Sequence, residues 1–352
     1  MKNFSDNPKN RVVVRVPGTS ANCGPGFDCL GLAATIYNYL DLTLIRSNKI
    51  IVESKGVGSE NIPRGRKNLT WQAVQRLLRE VGREDEFKGA IIRTRNNVPI
   101  SRGLGSSSTA IVAGLTAANA ILGSPLDKHK LLKLATEIEG HPDNVAPAIF
   151  GGFTVSVMNQ GEVQTFSFLP RIKLKLVVAV PDFELSTRLA RKVLPRSVPM
   201  KDAIFNISRA SMLIAALVEG REDLLPLAFD DALHQPYRKK LVPGMEAVFE
   251  AAKKAGAFGA AISGAGSCLI AFTSARSRLE EKIAAAIGRD VQISRRKLKR
   301  ADFGRRQARR TGYATLSYVF KIRLKFFLTC GGCYDNLRKV FEAILEEWYS
   351  RG

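Results

Sequence analysis

Residues 99–110 read PISRGLGSSSTA. A β-branched run over residues 90–96 stands before them. An alanine-rich apolar stretch without internal proline, residues 107–122, follows. The segment is therefore expected to connect a strand to a helix. Gly103 and Gly105 carry no side chain, which lets backbone N–H groups close on a ligand. A helix starting near Ser107 turns its positive end toward the loop. Ser106, Ser107 and Ser108 add hydroxyl donors and oxygens suited to magnesium. Together these features suit a nucleotide phosphate. No Gly-Lys-Ser/Thr follows, so this is not a Walker A loop, and the third glycine of a dinucleotide fingerprint is missing. A capped helix start with no ligand is the alternative.

Two other segments share this small-residue character. Residues 17–32 read PGTSANCGPGFDCLGL and embed Asn22 and Asp28 among turn residues. Residues 263–267 read SGAGS, between two apolar strand-like pieces. Either alone also reads as a plain turn. Strands are further expected at 11–16, 39–46, 50–54 and 174–180, with a hairpin over 151–157 and 163–168. Helices are expected at 69–81, 126–139, 202–219, 245–256 and 276–285. Strands, hairpins and helices in this mixture indicate an α+β fold.

The 352 residues suit two domains. With 45% hydrophobic and 24% charged residues, the balance is that of a globular protein, not of a disordered chain or collagen. Five cysteines are too few for a disulfide framework, which favours a reduced, cytoplasmic setting. The first residues lack the apolar core of a signal peptide, and no run reaches a membrane span, so no membrane partner is expected. The net charge of +22 suits an anionic substrate, nucleic acid or a membrane surface, and charge alone does not choose among them. The segment from Val291 onward carries nearly half of that excess.

The three small-residue segments, in this order, resemble the first motif, phosphate loop and third motif of the GHMP kinase superfamily. The resemblance covers about residues 11–290. It implies an α+β, two-domain GHMP kinase fold: an N-terminal part like domain 2 of ribosomal protein S5 over 1–165, and a ferredoxin-like C-terminal part over 166–294. It places ATP in the groove between them, held by Pro99, Ile100, Ser101, Arg102, Gly103, Leu104, Gly105, Ser106, Ser107, Ser108 and Thr109, with Ser263, Gly264 and Gly266. Within the superfamily, EGHPDNVAPAIFGGF at 139–153, STRLARKVLP at 186–195 and YRKKLVPG at 237–244 most resemble the members that phosphorylate L-homoserine on the way to threonine.

That substrate carries a carboxylate, an ammonium and a hydroxyl. Arg191 and Arg238 are suited to clamp the carboxylate, with Arg188 a neighbouring alternative to Arg191. Asn22 and Asp28 suit the ammonium and hydroxyl, and His141 and Asn144 complete the polar lining. Asp143 reads as a helix cap. The resemblance implies Mg2+ on a loop serine, Ser107 or Ser106, and one glutamate upstream of His141, for which Glu137 is preferred over Glu139. Asn144 stands where relatives carry a catalytic aspartate, which implies attack without a protein base. Asp28 is the alternative base, and a homodimer is expected by analogy.

Beyond residue 294 the pattern departs from the family, where only 291–294 suit a closing strand. The basic tail, 295–352, reads as an interaction or nucleic-acid-binding arm, as a dimerising segment through a helix at 340–348, or as a non-native sequence. Cys330 and Cys333 lack the second pair of a zinc site. Phe303 is the only aromatic in the basic run at 295–310, so nucleic acid is a weak partner.

Overall fold

The computed structural model describes residues 10–274, 281–283, 285–286 and 316–323. The chain forms two sheets with helices around them. The first sheet holds β1 (Arg11–Ala21), β2 (Leu30–Ile45), β3 (Ile50–Gly56), β4 (Gly89–Asn96), β5 (Phe153–Asn159) and β6 (Glu162–Phe168). Its order is β3-β4-β2-β5-β6, with β1 paired to the other side of β2. β3 and β4 are parallel and the other pairs antiparallel.

β1 runs past Pro17, where the sequence suggested an end. A register shift between Pro17 and Thr19 lets the ladder absorb a residue that cannot donate. That continuation brings Thr19, Ser20 and Ala21 into hydrogen bonds with residues 104, 263 and 264.

Helices α1 (Leu69–Glu80), α2 (Ser106–Ile121), α3 (Lys128–Glu139) and α4 (Pro142–Phe150) follow in the same half. Asn68 caps α1 by accepting from the Trp71 N–H, and Asp127 caps α3 from Lys130. Trp71, Leu77, Ile111, Leu132 and Val145 pack with Leu40, Leu42 and Leu44 of β2 in one core.

The second sheet has the order β10-β7-β9-β8, all antiparallel: β7 (Leu174–Pro181), β8 (Gly259–Ile262), β9 (Leu269–Ser274) and β10 (Leu316–Arg323). Apart from Lys175, β7 is apolar and buried, because both of its faces are covered. Leu174, Leu176 and Val178 join Leu30, Leu32 and α6 (Met200–Glu219) in a second core. Val177 and Ala179 face α8 (Met245–Lys254) in a third. The short helix α5 (Thr187–Lys192) precedes α6, and α7 (Gln235–Arg238) precedes α8.

Two expectations about domain limits need correction. A boundary at 165/166 would cut β6, whose last rung pairs Phe168 with Phe153. The segment expected to be a tail supplies β10, which lies along β7. The strand expected at 291–294, the basic run at 295–310, Cys330, Cys333 and the helix at 340–348 lie outside the described residues. Among residues 276–285, 281–283 and 285 are described, and they are helical. Among the described residues no helix is long and apolar enough to cross a membrane.

Candidate active site

The phosphate loop rests on both other motifs. Leu104 O accepts from Thr19 N at 3.0 Å, Arg102 O from Cys268 N at 3.0 Å, and Gly103 O from the Ser263 hydroxyl at 2.6 Å. Asn22 Nδ2 donates to Gly264 O at 2.9 Å. Gly105 is the N-cap of α2 in the left-handed region, so the first N–H groups of that helix have no intrahelical partner.

Gly103 has φ +78°, and a Cβ there would lie 2.0 Å from Ser263 O. Gly103→Ala is expected to lower unfolding stability by about 2–4 kcal/mol, from the left-handed backbone plus the overlap. A drop in the urea midpoint, together with weakened ATP binding, checks it; an unchanged midpoint would contradict this packing.

One cleft of about 470 Å³ joins the loop to the polar residues singled out above. Ile100, Ser101, Arg102, Gly103, Gly105, Ser106, Ser107, Thr109, Gly264 and Gly266 line it, as do Asn22, Asp28, His141, Asn144, Arg191 and Arg238. Pro99, Leu104, Ser108 and Ser263 are buried outside the lining and brace the loop.

Glu137 does not reach this cleft. Its carboxylate bonds Arg76 at 2.9 Å on the outer side of α3. Glu139 takes the place expected for it: Oε1 accepts from Ser107 Oγ at 2.8 Å and Ser108 Oγ at 3.0 Å. Gly140, left-handed at the end of α3, turns the chain so that Glu139 and His141 both face the cleft.

Asp28 is held by Arg191 through two charge-assisted bonds of 2.8 and 2.9 Å. Its N–H donates to Asn22 Oδ1 at 3.0 Å, so Asn22 works in part as a strut. Arg238 is 2% exposed and donates to Ala190 O and Gly264 O, both at 3.1 Å. Burial pushes its pKa down and the charge of Arg191 adds to this, while Asp28, Asp231 and Asp143 oppose. Phe27 lies beneath both guanidinium groups, 5.6 Å from Arg191 and 5.2 Å from Arg238.

Asp143 departs from its expected capping role. Its carboxylate is buried and bonds His141 Nδ1 and Asn144 Nδ2. Asn144 Oδ1 accepts from the Thr19 hydroxyl at 2.9 Å. Thr19, Phe27 and the bonding role of Asp143 escaped the sequence reading, since each depends on partners distant along the chain or on the α4 turn.

Burial pulls the pKa of His141 down, but the hydrogen bond and charge of Asp143, with Glu139, outweigh it and leave it raised. A raised folded value contributes stability fully present below the unfolded value of about 6.5 and lost as pH rises through the folded one. His141→Gln is therefore expected to lower the thermal midpoint more at about pH 5.5 than at about pH 8.5. Equal drops would mean that Asp143 does not favour the protonated ring.

Two family models match the chain: the GHMP kinases N terminal domain over residues 68–152 and the GHMP kinases C terminal over residues 213–290. A homoserine kinase of Carboxydothermus hydrogenoformans is 45% identical over 260 residues, 74% of this chain and 84% of that protein. The chain belongs to the homoserine kinase family. Another member of this family, from Moorella thermoacetica, is 44% identical over 79% of this chain and 93% of its own. A crystal structure of homoserine kinase from Cytophaga hutchinsonii matches with a TM-score of 0.74 and 28% identity, covering 83% of this chain and 94% of that one. The mevalonate kinase of L. major, at 15% identity and a TM-score of 0.65, shares the fold.

Proposed function

We propose that the protein transfers the γ-phosphate of ATP to the hydroxyl of L-homoserine, giving O-phospho-L-homoserine, as an amino-acid biosynthetic enzyme. One observation carries the reading. The phosphate loop shares a single cleft with a buried guanidinium, Arg238, that has no carboxylate within ion-pair distance among the described residues. A cation so placed favours an anionic substrate group that brings the missing counter-charge.

The chain's residues divide the work. The loop N–H groups and the start of α2 bind phosphates. Arg238, with Arg191, holds the substrate carboxylate, and Asp28, His141 and Asn144 hold the ammonium and hydroxyl. Binding both charged ends aims the hydroxyl at the γ-phosphorus. Glu139 and Ser107 form an all-oxygen pair that fits Mg2+, which keeps several waters and takes few protein ligands. When bound, the ion neutralises phosphate charge.

No protein base is required. Asn144 is an amide, Asp28 is paired with Arg191, and Glu139 accepts from two serines. The hydroxyl proton passes to phosphate or solvent, which phosphoryl transfer tolerates. His141→Gln is accordingly expected to lower kcat by less than about 10-fold, where loss of a general base costs 10²–10⁴.

The test is ADP release from the full chain with magnesium-ATP, comparing L-homoserine, mevalonate, L-serine and no acceptor. A rate that depends on homoserine supports the reading; a mevalonate-dependent rate overturns the substrate, and silence overturns the kinase. A homodimer belongs to the same proposal. The apolar row Met200, Ile204 and Ile207 exposed on α6 supports it, and light scattering reads it. Free Cys23, Cys29 and Cys268 suit a reduced, cytoplasmic setting.

A further inference from the structure

His234 lies behind the cleft, fully buried at the N-cap of α7, and no step above uses it. Its ring touches four groups. Nε2 is 2.8 Å from Gly24 O and 3.5 Å from Asp231 Oδ2. Nδ1 is 3.2 Å from Arg238 Nη1. The ring stacks on Phe27 with centroids 5.1 Å apart and planes at 26°.

The partners decide the tautomer. A carbonyl and a carboxylate only accept, so Nε2 carries the proton. A guanidinium only donates, so Nδ1 is bare. A second proton would set N–H against N–H. Burial and the charge of Arg238 work in the same direction, against the opposing pull of Asp231.

We propose that His234 is a positioning residue for the substrate carboxylate: its bare Nδ1 fixes the guanidinium of Arg238 while its Nε2–H ties that arginine to the Gly24 turn. The proposal deepens the homoserine reading and rests on it. Arg238 has two other acceptors, Ala190 O and Gly264 O, both backbone. The imidazole is the side-chain acceptor of the set. It also links the turn that carries Phe27 and Asp28 to the arginine they face. His234 and Phe27 together thus hold Arg238 at its Nη1 atom and from its face, while Ala190 O takes Nε, which leaves Nη2 for the substrate carboxylate.

Two substitutions separate the contacts. Asn places Oδ1 near the position of Nδ1, keeping the acceptor and losing the Gly24 tie. Gln places its amide near Nε2, keeping the tie and leaving Arg238 Nη1 without this acceptor. His234→Asn is expected to keep the homoserine KM within about 3-fold of the parent, and His234→Gln to raise it about 10-fold or more. The ATP KM should stay within about 2-fold in both. Equal homoserine KM values for the two variants, or a parallel change in the ATP KM, would overturn the proposal, since a merely structural role gives that pattern.

Nitrogen chemical shifts of His234 in the ligand-free protein provide an arm that needs no substrate. A neutral ring protonated at Nε2 at pH 7, whose Nδ1 signal moves in Arg238→Lys, is the expected result. An Nδ1-protonated or doubly protonated ring overturns the assignment. If the parent ignores homoserine but the shifts are as expected, the substrate reading has failed and the histidine–arginine contact has not.

Discussion

Arg238→Met is expected to lower kcat/KM for L-homoserine by about 10²–10³-fold, because truncating one member of a buried charge pair costs about 2–5 kcal/mol. The arginine is buried against two carbonyls and an imidazole, all neutral acceptors. Asp28 is already spent on Arg191. In the proposed reading the substrate carboxylate supplies the strong counter-charge that Arg238 lacks, and removing the arginine would leave that carboxylate desolvated beside apolar atoms. In this reading ATP is held by the phosphate loop and not by the Arg238 guanidinium, so its KM should stay within about 2-fold. Arg238→Lys should fall between the two, since it keeps the charge and loses the planar fork. Steady-state kinetics with both substrates varied reads all three values. A homoserine kcat/KM within about 3-fold of the parent would remove Arg238 from the carboxylate site.

Glu139→Gln is expected to lower kcat about 10²–10³-fold, the scale seen when one preorganised electrostatic group is lost from a reacting centre. It should also raise the magnesium concentration needed for half-maximal rate. Glu137→Gln should leave both within about 2-fold, because an exposed ion pair such as Glu137–Arg76 contributes little even to stability. The two variants differ by one carboxylate oxygen each and lie two residues apart. A magnesium titration of each settles which glutamate serves the phosphates, and equal effects would overturn the assignment to Glu139.

That pair shows where one-dimensional reading stops. Both glutamates precede His141, and either spacing is compatible with the motif. On a helix, positions two apart point about 200° away from each other. The left-handed Gly140 ends α3 directly after Glu139, and the packing of α3 on α1 sends Glu137 to Arg76. The choice is made by which face of α3 is buried. The same holds for the last strand of the second sheet. Residues 291–294 have suitable composition, but the rung beside β7 is taken by Leu316–Arg323. Strand composition says what fits a pleated surface and not which segment reaches it. Asp28 offers a third case. Its turn was legible, but a partner 163 residues away changes it from a candidate base into an ion pair.

What the sequence determined by itself was local and chemical. Gly103 and Gly105 with three serines suit an anion loop, because backbone freedom and hydroxyls are properties of the residues. The apolar run at 174–180 specifies a strand, and the order of three small-residue motifs points to the family. What only the tertiary structure decided was pairing: Glu139 over Glu137, Asp28 with Arg191, Asp143 with His141, and His234 between Gly24 and Arg238. Hydrogen bonds and ion pairs act over about 3 Å, and distances of that size between remote residues exist only after the chain has packed.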